Sequence, residues 1–229
     1  MRNLAIIPAR GGSKRIPRKN VKDFLGKPII AYSIQAALDC KLFDEVMVST
    51  DDNEIAKIAI QYGAKVPFMR SKKNSDDHAT TSDVLVEVLE QYKINNKHFD
   101  FACCIYPTAP LINPLKIKEA FEVMRIKNFD SVFPVTSFSY PILRSLKMTE
   151  GKVEMNWPEY LNSRSQDLTP AFHDSGQFYW ININNFLQTK NILSDNCGAI
   201  ELSDLEVQDI DNETDWKLAE LKHSLLYKY

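Results

Sequence analysis

An α/β fold on an open, doubly wound and mainly parallel sheet is what this sequence predicts, on two observations. Short apolar runs rich in β-branched and aromatic residues recur along the first 135 positions, and between them lie stretches with helical hydrophobic spacing. In order, Leu4 to Ile7 reads as a strand, Ile30, Ile34, Ala37 and Leu38 mark a helix, and Val46 to Ser49 reads as the next strand. Ile55, Ile58, Ala59 and Tyr62 mark a second helix, Val66 to Phe68 a further strand, and Val84, Val88, Leu89 and Tyr92 a third helix. Phe101 to Tyr106 is a strand, Ile117, Ala120, Phe121 and Met124 a helix, and Ser131 to Val135 a strand. Parallel neighbours need crossovers of this length, and helices on both faces explain why the strands are apolar throughout. The pattern is Rossmann-like, and it places a ligand beyond the carboxyl ends of the strands.

The alternation breaks between about 138 and 172. Lys147 to Trp157 reads as a strand pair turning at Glu150-Gly151, followed by a polar, proline-bounded loop, so this stretch reads as an insertion in one domain spanning 1–229. Gly176 to Ile183 resumes as a strand, and a polar segment through Val207 to Asp211 leads into a final helix carrying Leu218, Leu221 and Leu225.

Composition narrows the function classes. With 44% hydrophobic and 25% charged residues in 229, disorder and fibrous repeats are excluded. The 28 Lys+Arg against 30 Asp+Glu leave a net charge of −2, so nothing global steers the chain toward nucleic acid or anionic lipid. The apolar start at Leu4 to Ile7 is too short for a signal-peptide core or a membrane span, and a cytoplasmic location is expected. Cys40, Cys103, Cys104 and Cys197 lack C-x-x-C spacing, and His78, His98, His173 and His223 form no H-E-x-x-H, so the thiols read as reduced and mostly buried.

The sharpest local signal follows the first strand. Residues 1–22 contain no Asp or Glu, while Arg10, Lys14, Arg15, Arg18, Lys19 and Lys22 crowd a segment that also holds Gly11, Gly12 and Ser13. At the carboxyl end of a parallel strand, glycines let backbone N–H groups approach phosphate oxygens and cations neutralise them, which points to a polyphosphate site. Neither G-x-x-x-x-G-K-[ST] nor G-x-G-x-x-G is present. A solvated basic loop or an arm touching RNA is the competing reading, weakened by the position after a buried strand. Near the other end, Asp209 and Asp211 are one residue apart, so an extended backbone puts both carboxylates on one side, able to share Mg²⁺ or another divalent cation with phosphates. Equally, Asp211 or Asn212 reads as the cap of the last helix, with Asp215 at the capping-box position.

Pro8-Ala9-Arg10-Gly11-Gly12-Ser13-Lys14-Arg15-Ile16-Pro17-Arg18-Lys19-Asn20 resembles the opening motif of the cytidylyltransferases that activate sialic acid and related nonulosonic acids. The resemblance extends through Val48-Ser49-Thr50-Asp51, Arg70 with Ser75-Asp76 and Ala79-Thr80-Thr81, Pro107-Thr108-Ala109-Pro110, and Asp209-Ile210-Asp211. It implies that Arg10, Ser13, Lys14 and Lys19 hold CTP phosphates, that Asn20, Arg70, Thr80 and Thr81 frame the cytidine, and that Asp209 and Asp211 bind the metal. Arg10, Lys19 and metal-bearing Asp211 are the expected catalytic groups.

Where sialic acid members carry Gln-Pro-Thr-Ser-Pro-Leu-Arg, this chain has Tyr106-Pro107-Thr108-Ala109-Pro110-Leu111-Ile112. A phenol in place of an amide alters what the sugar pocket recognises. Arg164-Ser165-Gln166-Asp167-Leu168 with Pro170-Ala171-Phe172-His173-Asp174-Ser175-Gly176-Gln177-Phe178-Tyr179-Trp180 is most similar to the branch acting on pseudaminic acid. On that likeness Arg164 would grip the sugar carboxylate, with Tyr106, Gln166, Phe172, His173, Gln177 and Tyr179 in the sugar pocket. Related insertions form a homodimer contact and deliver a basic residue to the partner's pocket, for which Arg144 and Arg164 are the candidates. An ordinary half-buried strand also accounts for Phe178 to Trp180, a structural role for His173, and a hairpin covering a sheet edge for the insertion. The reaction implied joins CTP to a nine-carbon keto-acid sugar. Legionaminate, N-acetylneuraminate, 3-deoxy-octulosonate or a sugar 1-phosphate are alternative acceptors, and a non-catalytic nucleotide-binding module is the rival of another class.

Overall fold

The computed structural model describes residues 1–227. The chain runs through β1 (Asn3–Pro8), the short pair β2 (Asp23–Phe24) and β3 (Lys27–Pro28), α1 (Ile30–Asp39), β4 (Glu45–Ser49), α2 (Asn53–Gln61) and α3 (Thr81–Ile94). It continues with β5 (Phe101–Ile105), α4 (Pro114–Lys127), β6 (Ser131–Ser137), the hairpin β7 (Leu146–Thr149) and β8 (Lys152–Met155), and β9 (Phe172–Asp174). β10 (Phe178–Asn182), α5 (Ile183–Thr189), β11 (Cys197–Glu201) and α6 (Glu213–Leu226) complete it.

The main sheet has the order β11-β6-β10-β5-β1-β4, with β9 pairing β6. β1 runs parallel to both β4 and β5, and β11 runs parallel to β6. β10 is antiparallel to β5 and to β6, so a reversed strand joins two parallel sets. Alternate residues of β1 point into different layers, as the pleat requires. Ala5 and Ile7 join Ile30, Ile34, Ile55, Ile117 and Trp180 on one face, while Leu4 and Ile6 join Val84, Leu85, Val88, Ile183 and Phe186 on the other. Helices thus cover both faces, which is the doubly wound arrangement expected. Gly198 in β11 is demanded by contact, since a Cβ there would lie 2.3 Å from the Phe129 ring.

A third, smaller cluster matters for the site. Ile16 from the basic loop, Phe24 and Ile29 pack with Ile210, Trp216 and Ala219, so the amino-terminal loop and the start of α6 share one apolar footing. Among the described residues, no helix is long and apolar enough to cross a membrane.

Two expectations need correction. Val66 to Phe68 forms no strand: only a bridge between Met47 and Lys65 forms, because Pro67 has no N–H to extend the ladder. The strand expected over Gly176 to Ile183 begins at Phe178, after Gly176 turns the chain at a φ of +66°, and ends at Asn182, whose side chain caps α5 by accepting from the N–H of Asn185. The final helix forms as expected and carries Leu218, Leu221 and Leu225, which are exposed, while its buried residues are Trp216 and Ala219.

Candidate nucleotide site

Backbone pairing carries β1 one residue past its end, with the Ala9 N–H donating to the Ser49 carbonyl at 2.9 Å, and Arg10 then emerges beyond the strand ends. The loop that follows is held from three sides. The Gly11 N–H donates to Asp51 Oδ1 at 3.0 Å, and a Cβ at Gly11 would meet Asp52 Oδ2 at 2.7 Å, so only glycine fits there. Buried Asn20 donates to the Arg10 carbonyl at 2.8 Å. Arg18, in the left-handed region at a φ of 54°, pairs with Asp52 at 2.6 Å and with Glu54. That guanidinium is the main cause that holds the Asp52 carboxyl down at about 2. Asp52 also caps α2 by accepting from the N–H groups of Glu54 and Ile55.

The carboxyl end of the chain meets this loop. Lys19 donates its ammonium to the Ile210 carbonyl; burial pulls its pKa down, against the opposing pull of Asp209 and Asp211. Arg15 pairs with Asp211 at 2.6 Å and Lys22 with Glu213 at 2.6 Å.

Arg10, Arg15, Lys19 and Asn20 from this loop border a cavity of about 660 Å³ beyond β1, β4 and β5. Arg10, Ser13, Lys14, Lys19, Asn20, Arg70, Thr80 and Thr81, the eight residues expected around the nucleotide, all line it, as does Tyr106. Arg70 is nearly buried: its Nε donates to Ser49 Oγ at 3.0 Å and its N–H to the Thr50 carbonyl, and desolvation lowers its pKa. Thr80 caps α3 in a reciprocal box with Asp83, so its hydroxyl is already engaged. Thr81 Oγ1 lies 3.1 Å from the Tyr106 hydroxyl.

Reading the sequence missed Asp77, which also lines the cavity. It pairs with Arg10 Nη1 at 2.8 Å and with Lys14, and these two cations, Lys14 foremost, hold its carboxyl below the usual range. Arg10 Nη1 donates as well to the Asp76 carbonyl at 2.8 Å. The acid doublet Asp76-Asp77 was visible, but nothing in its spacing names partners more than 60 positions away.

The Asp209/Asp211 question has a structural answer. Asn212 is the cap of α6, accepting from the N–H groups of Thr214 and Asp215, and Asp215 closes the box. The Asp211 carboxylate therefore has no capping duty. Ile210 is fully buried between the two acids, and both face the charge of Lys19. Among the described residues no third acid, His or Cys gathers with them to hold an ion. Neither acid lines the nucleotide cavity: Asp209 borders the opening beside His173 and Asp211 pairs with Arg15, and the two carboxylates are hard oxygen donors of the kind a divalent cation takes, with its further oxygens to come from a ligand.

On the sugar side the arrangement is mixed. The Tyr106 ring lies 5.4 Å from that of Tyr179, and Tyr179 donates to Asp174 Oδ2 at 2.5 Å; burial above all raises the pKa of both phenols. Gln177 is buried with its amide donated to the Glu206 carbonyl at 2.5 Å, so that N–H is not free for a sugar. His173 Nδ1 meets the main-chain carbonyl of Asp174 and not its carboxylate, which leaves no triad. Its ring lines a second, polar cavity of about 320 Å³ together with Asp209, Thr136, Ser139 and Lys222. Phe172 is exposed on β9. Arg144 and Gln166 border separate openings under the 138–171 segment, and neither they nor Arg164 line the nucleotide cavity of their own chain.

Comparison with known proteins agrees with the geometry. A family model described as cytidylyltransferase matches residues 4–177. The chain is 44% identical, over its full length and 97% of the relative, to pseudaminic acid cytidylyltransferase of Campylobacter jejuni. It is 32% identical to CMP-N,N'-diacetyllegionaminic acid synthase of Legionella pneumophila, over 96% of this chain and 95% of the relative. A solved CMP:2-keto-3-deoxy-manno-octonic acid synthetase complexed with CTP superposes with a TM-score of 0.73 at 19% identity, over 99% of this chain and 100% of that one, a likeness of fold. With a matched model over most of its length and a full-length relative at 44% identity, the chain belongs to the cytidylyltransferase family and is a nucleotidyltransferase.

Proposed function

We propose that the chain joins CTP to a nine-carbon keto-acid sugar of the pseudaminic type, yielding the CMP-sugar and pyrophosphate. The observation that carries this reading is the convergence of the basic-loop side chains, Arg70 and the start of α3 on one cavity beyond the strand ends. The full-length likeness to a pseudaminic acid enzyme supports the acceptor. In this reading Arg10, Ser13 and Lys14 grip the phosphates, and Asn20, Arg70, Thr80 and Thr81 frame the nucleoside. Lys19, half-sunk between loop and α6, adds charge beside the α-phosphate. Asp209 and Asp211 hold a divalent cation, Mg²⁺ by the hardness of its donors, which when bound neutralises phosphate charge. Because charge is dispersed over the phosphoryl oxygens, the protein's part is positioning and electrostatic stabilisation, with no covalent enzyme intermediate. CTP as substrate sets the reaction in the cytoplasm.

The 138–171 segment exposes Tyr140, Leu146, Met148 and Leu161, an apolar surface that supports a homodimer in which Arg144 or Arg164 reaches the partner's sugar pocket. Sedimentation at the mass of one chain would remove that part of the reading.

The deciding experiment incubates purified protein, CTP and Mg²⁺ with pseudaminate, legionaminate, N-acetylneuraminate and 3-deoxy-octulosonate, and identifies CMP-sugars by mass. Pseudaminate is expected to give the highest kcat/KM, and no product with any acid sugar would refute the function. Tyr106→Gln is expected to move the pseudaminate to N-acetylneuraminate preference by about tenfold or more, the scale on which a mismatched polar group discriminates. An unmoved ratio means that Tyr106 does not select the sugar.

A further inference from the structure

We infer that Asp77 is a built-in occupant of the phosphate subsite, which any phosphate chain must displace and which reclaims its place as pyrophosphate leaves. The inference rests on the assignment of Arg10 and Lys14 to the phosphates. One Asp77 oxygen takes Arg10 Nη1 at 2.8 Å and the other takes Lys14, so a single carboxylate spans two cations as a phosphate group would. Asp77 lines the cavity itself. Nothing else fastens it: its neighbour Asp76 closes the local turn by accepting the N–H groups of His78 and Ala79, each at 2.9 Å, and the Asp77 side chain has the two cations as its partners.

Of the loop's other cations, Arg15 and Lys19 also line the cavity, Arg15 paired with Asp211 and Lys19 on the Ile210 carbonyl, whereas Arg18 and Lys22 are neutralised away from it. Arg18 is paired with Asp52 and Glu54, and Lys22 with Glu213, all at the starts of α2 and α6 and none lining the cavity. Those pairs build the loop. Asp77, by contrast, stands where a ligand would, and its side chain is 39% exposed, which makes the pair weak and exchangeable. A carboxylate that competes with phosphate for Arg10 and Lys14 lowers affinity for CTP and for pyrophosphate alike, because the cytidine plays no part in the competition. It therefore favours departure of the product that carries only phosphates.

The test is titration calorimetry of CTP and, separately, of pyrophosphate, with Mg²⁺ and without sugar, on the wild-type protein and on Asp77→Asn and Asp77→Ala. Both variants are expected to bind each anion about three- to tenfold more tightly, the scale of two exposed ion pairs removed from competition. A purely structural role for Asp77 predicts the opposite sign, since a disordered loop would bind less well. Tighter binding of pyrophosphate by either variant supports the inference; equal or weaker binding by both overturns it. Wild-type protein that binds neither anion would sink the site assignment itself, and this inference with it.

Discussion

Arg10→Ala is expected to lower kcat by about a hundred- to a thousandfold, the loss typical of one preorganised charge at a phosphoryl or oxyanion centre. The size follows from how little else the substitution disturbs. The main chain at position 10 is held by neighbours, through Asn20 on its carbonyl and through the Ala9 N–H on Ser49, so the loop keeps its course when the guanidinium goes. What is lost is a planar cation at the end of β1 whose Nη1 spans the 75–80 loop through Asp77 and the Asp76 carbonyl. Arg10→Lys keeps the charge and removes the fork, and it is expected to recover part of the rate without restoring it. Steady-state pyrophosphate release, with a thermal melt on the same samples, checks both. Near-normal turnover from folded Arg10→Ala protein would show that the loop binds something other than the reacting phosphates.

Asp211→Ala is expected to cost a similar factor, about a hundredfold or more in turnover, with the melting temperature unchanged. The two readings of this residue separate cleanly. Were Asp211 a helix cap, its replacement would cost about 1 kcal/mol of stability and leave chemistry alone. Asn212 and Asp215 already form the capping box, and the Asp211 N–H donates to Asp215 Oδ2 at 2.9 Å through the backbone, which the substitution preserves. The variant therefore removes a negative charge beside Lys19 and Arg15 and leaves α6 in place. Raising Mg²⁺ is expected to restore part of the activity. A destabilised but fully active variant would return Asp211 to a structural role.

How far the sequence could be read depended on whether the deciding interaction is local. Helix positions from Ile30 to Met124 follow from hydrophobic spacing because each apolar stripe packs on an adjacent strand. The basic loop was legible since all its chemistry lies within 22 residues and its place follows from the strand before it. Local pattern says less where a distant surface chooses. Leu218, Leu221 and Leu225 keep helical spacing, yet the buried side of α6 is set by Ile16 and Phe24, which take up Trp216 and Ala219 instead. Gln177 matches a pocket residue by motif, and one N–H of its amide goes to the Glu206 carbonyl on a turn 29 positions away, a partner that no local pattern names. The reversed course of β10 was also hidden, because a strand buried between two neighbours is apolar on both faces in either direction.

That reversed strand orders events on the ribosome. β5 is bound on one side by β1, which precedes it, and on the other by β10, whose residues Phe178–Asn182 are made long after Ile105. Until they emerge, one hydrogen-bonding rim of β5 stays open, and any nascent chain stalled before residue 178 presents a ready template for edge-to-edge aggregation. Long-range closure of this kind is slow, so the β5 rim stays open longer than a local hairpin's would.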